Sequence, residues 1–379
     1  MGIARGPNIV KDGLVFGYDT GYGIADNSTA TRFYQGEPTT NQADTDAKRN
    51  WGTHNGATSS TTTAPEKGPG WKKLIITNIN GSNYRLAQFP YLTQANGTTR
   101  TYSVEFDVGN LTGYSMFVDG TSGYPPTNVS GKGRYSTTIT ASGNKSIAVF
   151  LGKSGTHSNI NHVIYYKEYQ VEEKSHASPF TDSTRSDTTS LIDLKRNTNI
   201  NLSSVSFNST GQLTFDGTDD KINTGITTQL TDFSCVVVFK DGGSAAWGRL
   251  VDKQYTTGFF ISSYFASVGT NYVGAGVIEP NSPHGQALQY TTGKYNYFVL
   301  TRSGSTHTIY LNGSTNKLQK TNGSSATLSS TEMAIGAWNG STATQRYTGE
   351  IPVVKLYNKE LTAAEIQQDF EAYKNRFNL

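Results

Sequence analysis

Three groups of residues in this 379-residue chain have the types and spacing to do chemistry. Asp216, Asp219 and Asp220 crowd three carboxylates into one short segment, Phe215-Asp-Gly-Thr-Asp-Asp-Lys221. These are hard oxygen donors of the kind calcium takes six to eight of. Asp-Gly and Asp-Asp also shape tight turns without any ion, because Asp side chains hydrogen-bond their own backbone. The second group is aromatic: Trp247 in Gly242-Gly-Ser-Ala-Ala-Trp-Gly248, Trp338 in Ala337-Trp-Asn-Gly340, and, less clearly placed, Tyr255 and Tyr347. Sugar recognition uses exposed ring faces beside amides, and binding residues concentrate on loops of a rigid scaffold. The same rings serve equally well packed on their own loops or on a neighbouring subunit. The third group is Glu105-Phe-Asp107-Val-Gly-Asn110. Retaining glycoside hydrolysis needs two carboxyls about 5–5.5 Å apart, one as nucleophile and one as acid. Asn110 cannot donate and recover a proton at neutral pH. Tyr102, Val104, Phe106 and Val108 alternate with Ser103, Glu105 and Asp107, which makes the two acids the wet face of a half-buried strand.

Other chemistries find less. Of the six histidines, only His157 and His162 come near zinc-ligand spacing, and no further ligand lies close in sequence. The Gly-x-Ser-x-Gly elbow of a serine hydrolase and the phosphate-loop pattern are both absent. The net charge of +3 comes with no basic cluster larger than Lys72-Lys73 or Lys195-Arg196, so no nucleic-acid partner is expected. The single cysteine, Cys235, lies in the apolar run Cys235-Val-Val-Val-Phe239 and reads as a small buried hydrophobe. No run approaches the roughly 20 apolar residues of a membrane-spanning helix, so no membrane insertion is expected. The segment from Met1 to Asp12 lacks an apolar core of signal-peptide length. The expectation is a protein that folds in a reducing cytosol and leaves it by lysis.

The elements that must position these residues are strands. Charged residues make up only 16% of the chain, and 40 Gly, 22 Tyr and 17 Phe stand among many Thr, Ser and Asn. That composition suits short strands joined by tight turns. Leu74-Ile-Ile76, Ile147 to Leu151 and Val163-Ile-Tyr-Tyr166 read as strands, and Tyr297–Arg302 and Thr306–Leu311 flank Ser303-Gly-Ser305 as a hairpin. Asn312-Gly313 is a further turn signal. Near the end of the chain a strand around Ile351–Tyr357 runs into a short amphipathic helix. Thr362 and Glu365 form a capping box, Leu361 and Ile366 a hydrophobic staple, and Ile366, Phe370 and Tyr373 share one helical face.

The C-terminal order of strand, capped helix and apolar face closely resembles the end of laminin G-like domains, the concanavalin A-like lectin sandwiches. Gly13-Leu-Val-Phe-Gly-Tyr-Asp19 resembles their opening strand as found in tailed phages. Asp193-Leu194 and Phe215-Asp-Gly-Thr-Asp-Asp-Lys-Ile222 resemble the segments that follow it, but arrive some 170 residues late. An insertion accounts for the gap. Tyr169-Gln-Val-Glu-Glu173 with Ser178-Pro-Phe180, and the opening Gly36-Glu-Pro-Thr-Thr-Asn41, resemble carbohydrate-binding-type jelly rolls of phage fibre and structural proteins.

The expected fold is therefore all-β. A laminin G-like sandwich is interrupted after its first strand by a second sandwich, a jelly roll, and ends in one short helix. Expected boundaries are 1–33 for an N-terminal arm and first strand, 34–182 for the insert, and 183–379 for the remainder. The family mostly binds sugars or other surfaces and seldom does chemistry. The resemblance implies a structural protein on the surface of a tailed-bacteriophage particle, a fibre, tail-associated or capsid-decoration subunit. Such a protein assembles in the host cytoplasm, docks on other virion proteins as a homo-oligomer, often a trimer, and presents a surface to host glycans. It also implies a calcium ion at the rim held by Asp216, Asp219 and Asp220, with Asp193 brought near by the fold, though no cofactor is required. Some sandwiches of this superfamily are glucanases carrying Glu, Asp and Glu at i, i+2 and i+5, which Glu105, Asp107 and Asn110 match only in part. A glycan-degrading enzyme and a cellular adhesin are thus the alternatives.

Overall fold

The computed structural model describes residues 8–20, 36–49, 52–53, 57–79, 87–119, 126–153, 160–208, 210–244, 246–253, 258–263, 268–277, 286–321, 326–339 and 345–379. The chain forms two units, one of Met1–Glu37 with Ser186–Leu379 and the other of Pro38–Arg185. Each is built of antiparallel sheets, and strands account for 48% of the chain.

In the larger unit, among the described residues, an eight-stranded sheet packs on a six-stranded one. Thr348–Tyr357 runs through the middle of the first sheet. It pairs on one side with Phe233–Asp241, and on the other with Leu14–Asp19 and, further along, Leu213–Asp216. The opening strand is thus hydrogen-bonded to a strand more than 330 positions later: Phe16 lies opposite Leu356 and Tyr18 opposite Val354. Alternation in these strands sends Phe16, Tyr18, Cys235, Val237, Phe239, Val354 and Leu356 into the space between the sheets. From the six-stranded sheet come Val251, Ile261, Ala275 and Ile335.

The other face of the eight-stranded sheet carries a second apolar layer, Val236, Val238, Tyr297, Val299 and Val353. The C-terminal helix Ala363–Phe377 covers it with Ile366, Phe370, Tyr373 and Phe377. Burial of each such side chain contributes roughly 1.5–3 kcal/mol. The helix starts where its capping box dictates: Thr362 Oγ1 accepts from the Glu365 amide at 3.2 Å, and Glu365 Oε2 accepts from the Thr362 amide at 2.9 Å. Leu361 and Ile366, the two staple residues, are both buried.

In the smaller unit, among the described residues, a five-stranded sheet centred on Thr99–Asp107 and His162–Glu172 faces a six-stranded one centred on Lys145–Lys153. Tyr102, Val104, Phe106, Ile147, Val149, Leu151, Ile164 and Tyr166 form its core. Thr39–Thr40 pairs antiparallel with Thr184–Arg185, so the chain enters and leaves this unit side by side, as an inserted domain requires. That pairing places the boundaries at Glu37/Pro38 and Arg185/Ser186, a few residues beyond the expected 33/34 and 182/183. Most of the expected N-terminal arm, residues 1–7, lies outside the described residues.

Candidate functional site

The strand Leu213–Asp216 belongs to the eight-stranded sheet, and Ile222–Asn223 to the six-stranded one. The acidic turn between them therefore crosses from sheet to sheet at the edge of the sandwich. Gly217 holds it there at φ +80°, and a Cβ at this position would fall 2.3 Å from Thr348 Oγ1. Asp220 points inward, 4% exposed, and its Oδ2 accepts from the Asp216 amide at 2.7 Å. Asp216 Oδ1 accepts in turn from the Thr218 amide at 2.6 Å. One carboxylate oxygen from each of Asp216, Asp219 and Asp220 lies within 4.8 Å of the others. Oxygens bound to one calcium at 2.3–2.6 Å stand at most about 5 Å apart, so the triad fits such an ion. Burial raises the Asp220 carboxyl to about 6, helped by the charges of Asp216 and Asp219 and opposed by the Asp216 amide and Arg346.

Asp193 is not part of this group, contrary to expectation. Its carboxylate accepts from the amides of Gly17 at 3.1 Å, Lys195 at 3.1 Å and Asn197 at 2.9 Å. It fastens the opening strand to the 193–197 turn, and its oxygens are spent on that work.

Two tryptophan loops flank the acidic turn. Lys221 Nζ donates to Asn339 Oδ1 at 3.0 Å, which ties the turn to the Trp338-Asn339 loop. Arg346 Nη1 donates to the Asp220 carbonyl at 3.4 Å. The Arg346 carbonyl lies 3.2 Å from where a Cβ on Gly248 would sit, which brings the Trp247-Gly248 loop to the same arginine. Trp338 and Trp247 are both half-buried. Trp247 holds a left-handed φ of +64°, a conformation costing a bulky residue about 1–2 kcal/mol, and lies edge-on to Phe260 at 6.4 Å.

Beneath these loops the outward face of the six-stranded sheet carries charge. Arg249 is 1% exposed and stacks over the Phe260 ring at 3.9 Å. It donates to Ser262 Oγ at 2.6 Å and pairs with the fully buried Asp252 at 3.3 Å. Asp252 Oδ1 accepts from the Asn339 amide at 3.4 Å, so the buried pair supports the Trp338 loop from below. Gly276 makes room for the arrangement, since a Cβ there would strike the Phe260 ring at 2.4 Å.

Tyr347 is a correction. It is fully buried, edge-on to Phe215 at 6.0 Å, and cannot show a ring face to a ligand. Its amide donates to the Gly336 carbonyl at 2.9 Å, which fixes the backbone so that the ring turns into the core. Tyr255 lies outside the described residues. Reading the sequence missed Lys221, Arg249, Asp252, Asn339 and Arg346. The one legible signal was Arg249-Leu-Val-Asp252-Lys253, charges set inside an otherwise apolar strand.

The hydrolase candidates, in the smaller unit, sit among cations. Glu105 pairs with Lys167 at 3.2 Å and Lys132 at 4.0 Å, and Asp107 with Lys67 at 2.8 Å. The Lys67 hydrogen bond holds the Asp107 carboxyl below its ordinary value, the wrong direction for a general acid.

The model of the concanavalin A-like lectin/glucanases superfamily matches residues 216–367. The matched segment lies within the larger unit, in its two-layer β-sandwich. No curated protein matches the chain. Among solved structures, a mutant of HCR/D is similar at 13% identity and TM-score 0.39, over 48% of this chain and 48% of that one. A mutant of Trypanosoma rangeli sialidase displaying trans-sialidase activity is similar at 15% identity and TM-score 0.38, over 49% and 31%. Domain 4 of AbnA, a GH43 extracellular arabinanase from Geobacillus stearothermophilus in complex with arabinotriose, is similar at 15% identity and TM-score 0.37, over 49% and 93%. The chain thus spans less than half the length of the first two.

Proposed function

We propose that this protein is a non-catalytic glycan-binding subunit on the surface of a tailed-bacteriophage particle. The observation that carries the binding half of this reading is the convergence on Arg346 of the acidic turn and the Trp247 loop, with Lys221 tying in the Trp338 loop. Two rings, an amide and several hydrogen-bonding charges at one edge of a rigid sandwich are what a sugar needs: apolar ring faces to stack on and fixed polar partners for its hydroxyls. Calcium at Asp216, Asp219 and Asp220 would neutralise the turn and offer open coordination to sugar hydroxyls. Ion pairing of Glu105 and Asp107 speaks against a hydrolytic acid pair. The virion half rests on the resemblance of residues 8–19, 36–41 and 165–180 to phage structural proteins. It brings with it docking on other virion proteins and assembly as a homo-oligomer, fibre subunits being usually oligomeric and often trimeric.

Binding is tested on a glycan array with the full chain and its Trp338→Ala variant. The variant should bind its best glycan at least tenfold more weakly, a loss of about 1.4 kcal/mol. Equal binding would remove the rim from the reading. Proteomics and immunogold labelling of purified particles test the virion half, and absence of the protein from them overturns it.

A further inference from the structure

The smaller unit has a cleft of about 350 Å³ that the rim does not involve. One wall is the strand His162–Glu172 where it bulges: its pairing with Thr99–Asp107 shifts register between Lys167 and Gln170, and Glu168 takes a φ of +55°. A bulge re-aims side chains, and a left-handed non-glycine residue costs about 1–2 kcal/mol, so this strand departs from regular pairing just where it lines the cleft. Arg49, Lys72, Phe180 and Asp182 also line it, Lys72 from the adjacent strand, directly across from Tyr166. Gly70, also lining it, has φ +77° and nothing within 4 Å of where a Cβ would sit, so that wall is open.

Its chemistry is mixed in a particular way. Three cations, Arg49, Lys72 and Lys167, meet two carboxylates, Glu168 and Asp182, beside Phe180. Glu168 is already balanced by Lys167 at 2.8 Å and Arg134 at 3.5 Å. Arg49 lies over the Phe180 ring at 5.8 Å, donates from Nε to the Ala43 carbonyl at 2.5 Å and from Nη2 to the Asp182 carbonyl, and pairs through Nη1 with the Asp182 carboxylate at 2.8 Å; the Asp182 side chain is 81% exposed. A carboxylate partner so open to water contributes little, so a ligand carboxylate can take the place of the Asp182 carboxylate on Nη1 at small cost while the two carbonyls keep the guanidinium in position. The volume is near the lower end for ligand pockets, room for one or two sugar rings.

We propose that this cleft binds a short acidic saccharide, one bearing a uronic-type carboxylate. The ligand's carboxylate takes Arg49 with help from Lys72, its hydroxyls donate to Glu168 and Asp182, and its C–H face lies on Phe180. An acidic peptide would satisfy the cations, yet it brings no hydroxyls for the two carboxylates. This second site is independent of the rim, and its test separates the two.

The full chain is titrated by calorimetry with trigalacturonate, galactotriose and a triglutamate peptide. Trigalacturonate should bind, with galactotriose and triglutamate at least tenfold weaker. Arg49→Gln and Phe180→Ala should each weaken trigalacturonate at least tenfold, and Trp338→Ala should leave it unchanged. Thermal melts check that each variant is folded; should Arg49→Gln unfold, Lys72→Gln replaces it with the same tenfold expectation. No binding of trigalacturonate, equal binding of galactotriose, preference for triglutamate, or loss in Trp338→Ala rather than Arg49→Gln would each overturn the assignment. Failure of the rim on a glycan array leaves these outcomes untouched.

Discussion

The ammonium of Lys355, on the central strand of the eight-stranded sheet, meets both carboxylate oxygens of Asp369 on the C-terminal helix, and neither side chain reaches solvent. Asp369 also accepts from Tyr297 Oη at 3.1 Å and from the Val10 amide at 3.3 Å. Tyr357 Oη donates to the Val10 carbonyl at 2.9 Å, and Gln368 Nε2 to the Asn8 carbonyl at 2.8 Å. One buried ion pair thus joins helix, sheet and the segment leading into the opening strand.

Breaking that pair from one side should be costly. Lys355→Met leaves an uncompensated buried carboxylate, and Asp369→Leu an uncompensated ammonium. Each single change should cost about 3–5 kcal/mol in urea unfolding of the larger unit. Lys355→Met with Asp369→Leu together should cost less than either alone, because the charge left behind is gone. A double variant as unstable as the sum of the singles would show that the pair acts as two separate contacts.

His307 should make the protein sensitive to mild acid. It lies between Arg302 and Lys320 in the pairing of adjacent strands, 1% exposed. Burial, reinforced by those two cations, lowers its value to about 4 from an ordinary 6.5. The unfolded chain therefore takes up a proton between pH 6.5 and 4 that the fold refuses. Stability falls as pH drops through that window, by an amount on the order of 2–3 kcal/mol once the loss is complete. His307→Gln should flatten that part of the profile relative to the unaltered protein when unfolding is measured at pH 7, 5.5 and 4. Parallel profiles would rule the histidine out.

The local devices in this fold were legible because they are local. Thr362 and Glu365 are three residues apart, and the cap follows from that spacing alone. The pairing of Leu14–Asp19 with Thr348–Tyr357 spans the chain, and was readable only because Gly13–Asp19 resembles an opening strand whose partner lies at the far end. The site was half legible. Trp247, Trp338 and the three aspartates stand out as residue types among turn residues. What joins them does not: Arg346 acts through its carbonyl and one guanidinium nitrogen, and Arg249 and Asp252 lie on a sheet face that two-residue alternation would assign to water. Tyr347 misled because its flanking polar residues look like a loop, while one backbone bond to Gly336 turns it inward. Asp193 misled because sequence cannot tell a carboxylate that caps three amides from one waiting for an ion.

Gly336 should tolerate no side chain. It sits at φ +82°, just before the Trp338 loop, and a Cβ would lie 2.1 Å from the Phe215 ring. Gly336→Ala combines a strained backbone with overpacking, roughly 2–4 kcal/mol in all. Phe215 precedes Asp216, so pushing its ring aside should also disturb the acidic turn. The expected result is a lower melting temperature together with weaker glycan binding. An alanine variant as stable as the original would mean that Phe215 has room to move.

Calcium should stabilise the larger unit, and more at pH 7 than at pH 5. Without an ion, Asp220 carries a value of about 6 against an ordinary 3.8. A carboxyl raised by folding contributes stability that is full below pH 3.8 and is lost as pH rises through 6, because ionising it places charge in a buried site beside Asp216 and Asp219. A divalent ion removes that penalty by binding the ionised form, so its effect must grow as the group deprotonates. Thermal melts with and without millimolar calcium at pH 5 and pH 7 read this directly. The shift should be larger at pH 7. Asp219→Asn should shrink it, since one ligand charge is lost from an exposed position whose replacement does not disturb the core. Asp220→Asn should abolish the calcium shift and raise the ion-free melting temperature at pH 7, since the repelled charge is gone while the amide oxygen can still accept from Asp216. A calcium shift that is the same at both pH values, or that survives Asp220→Asn, would place the ion elsewhere.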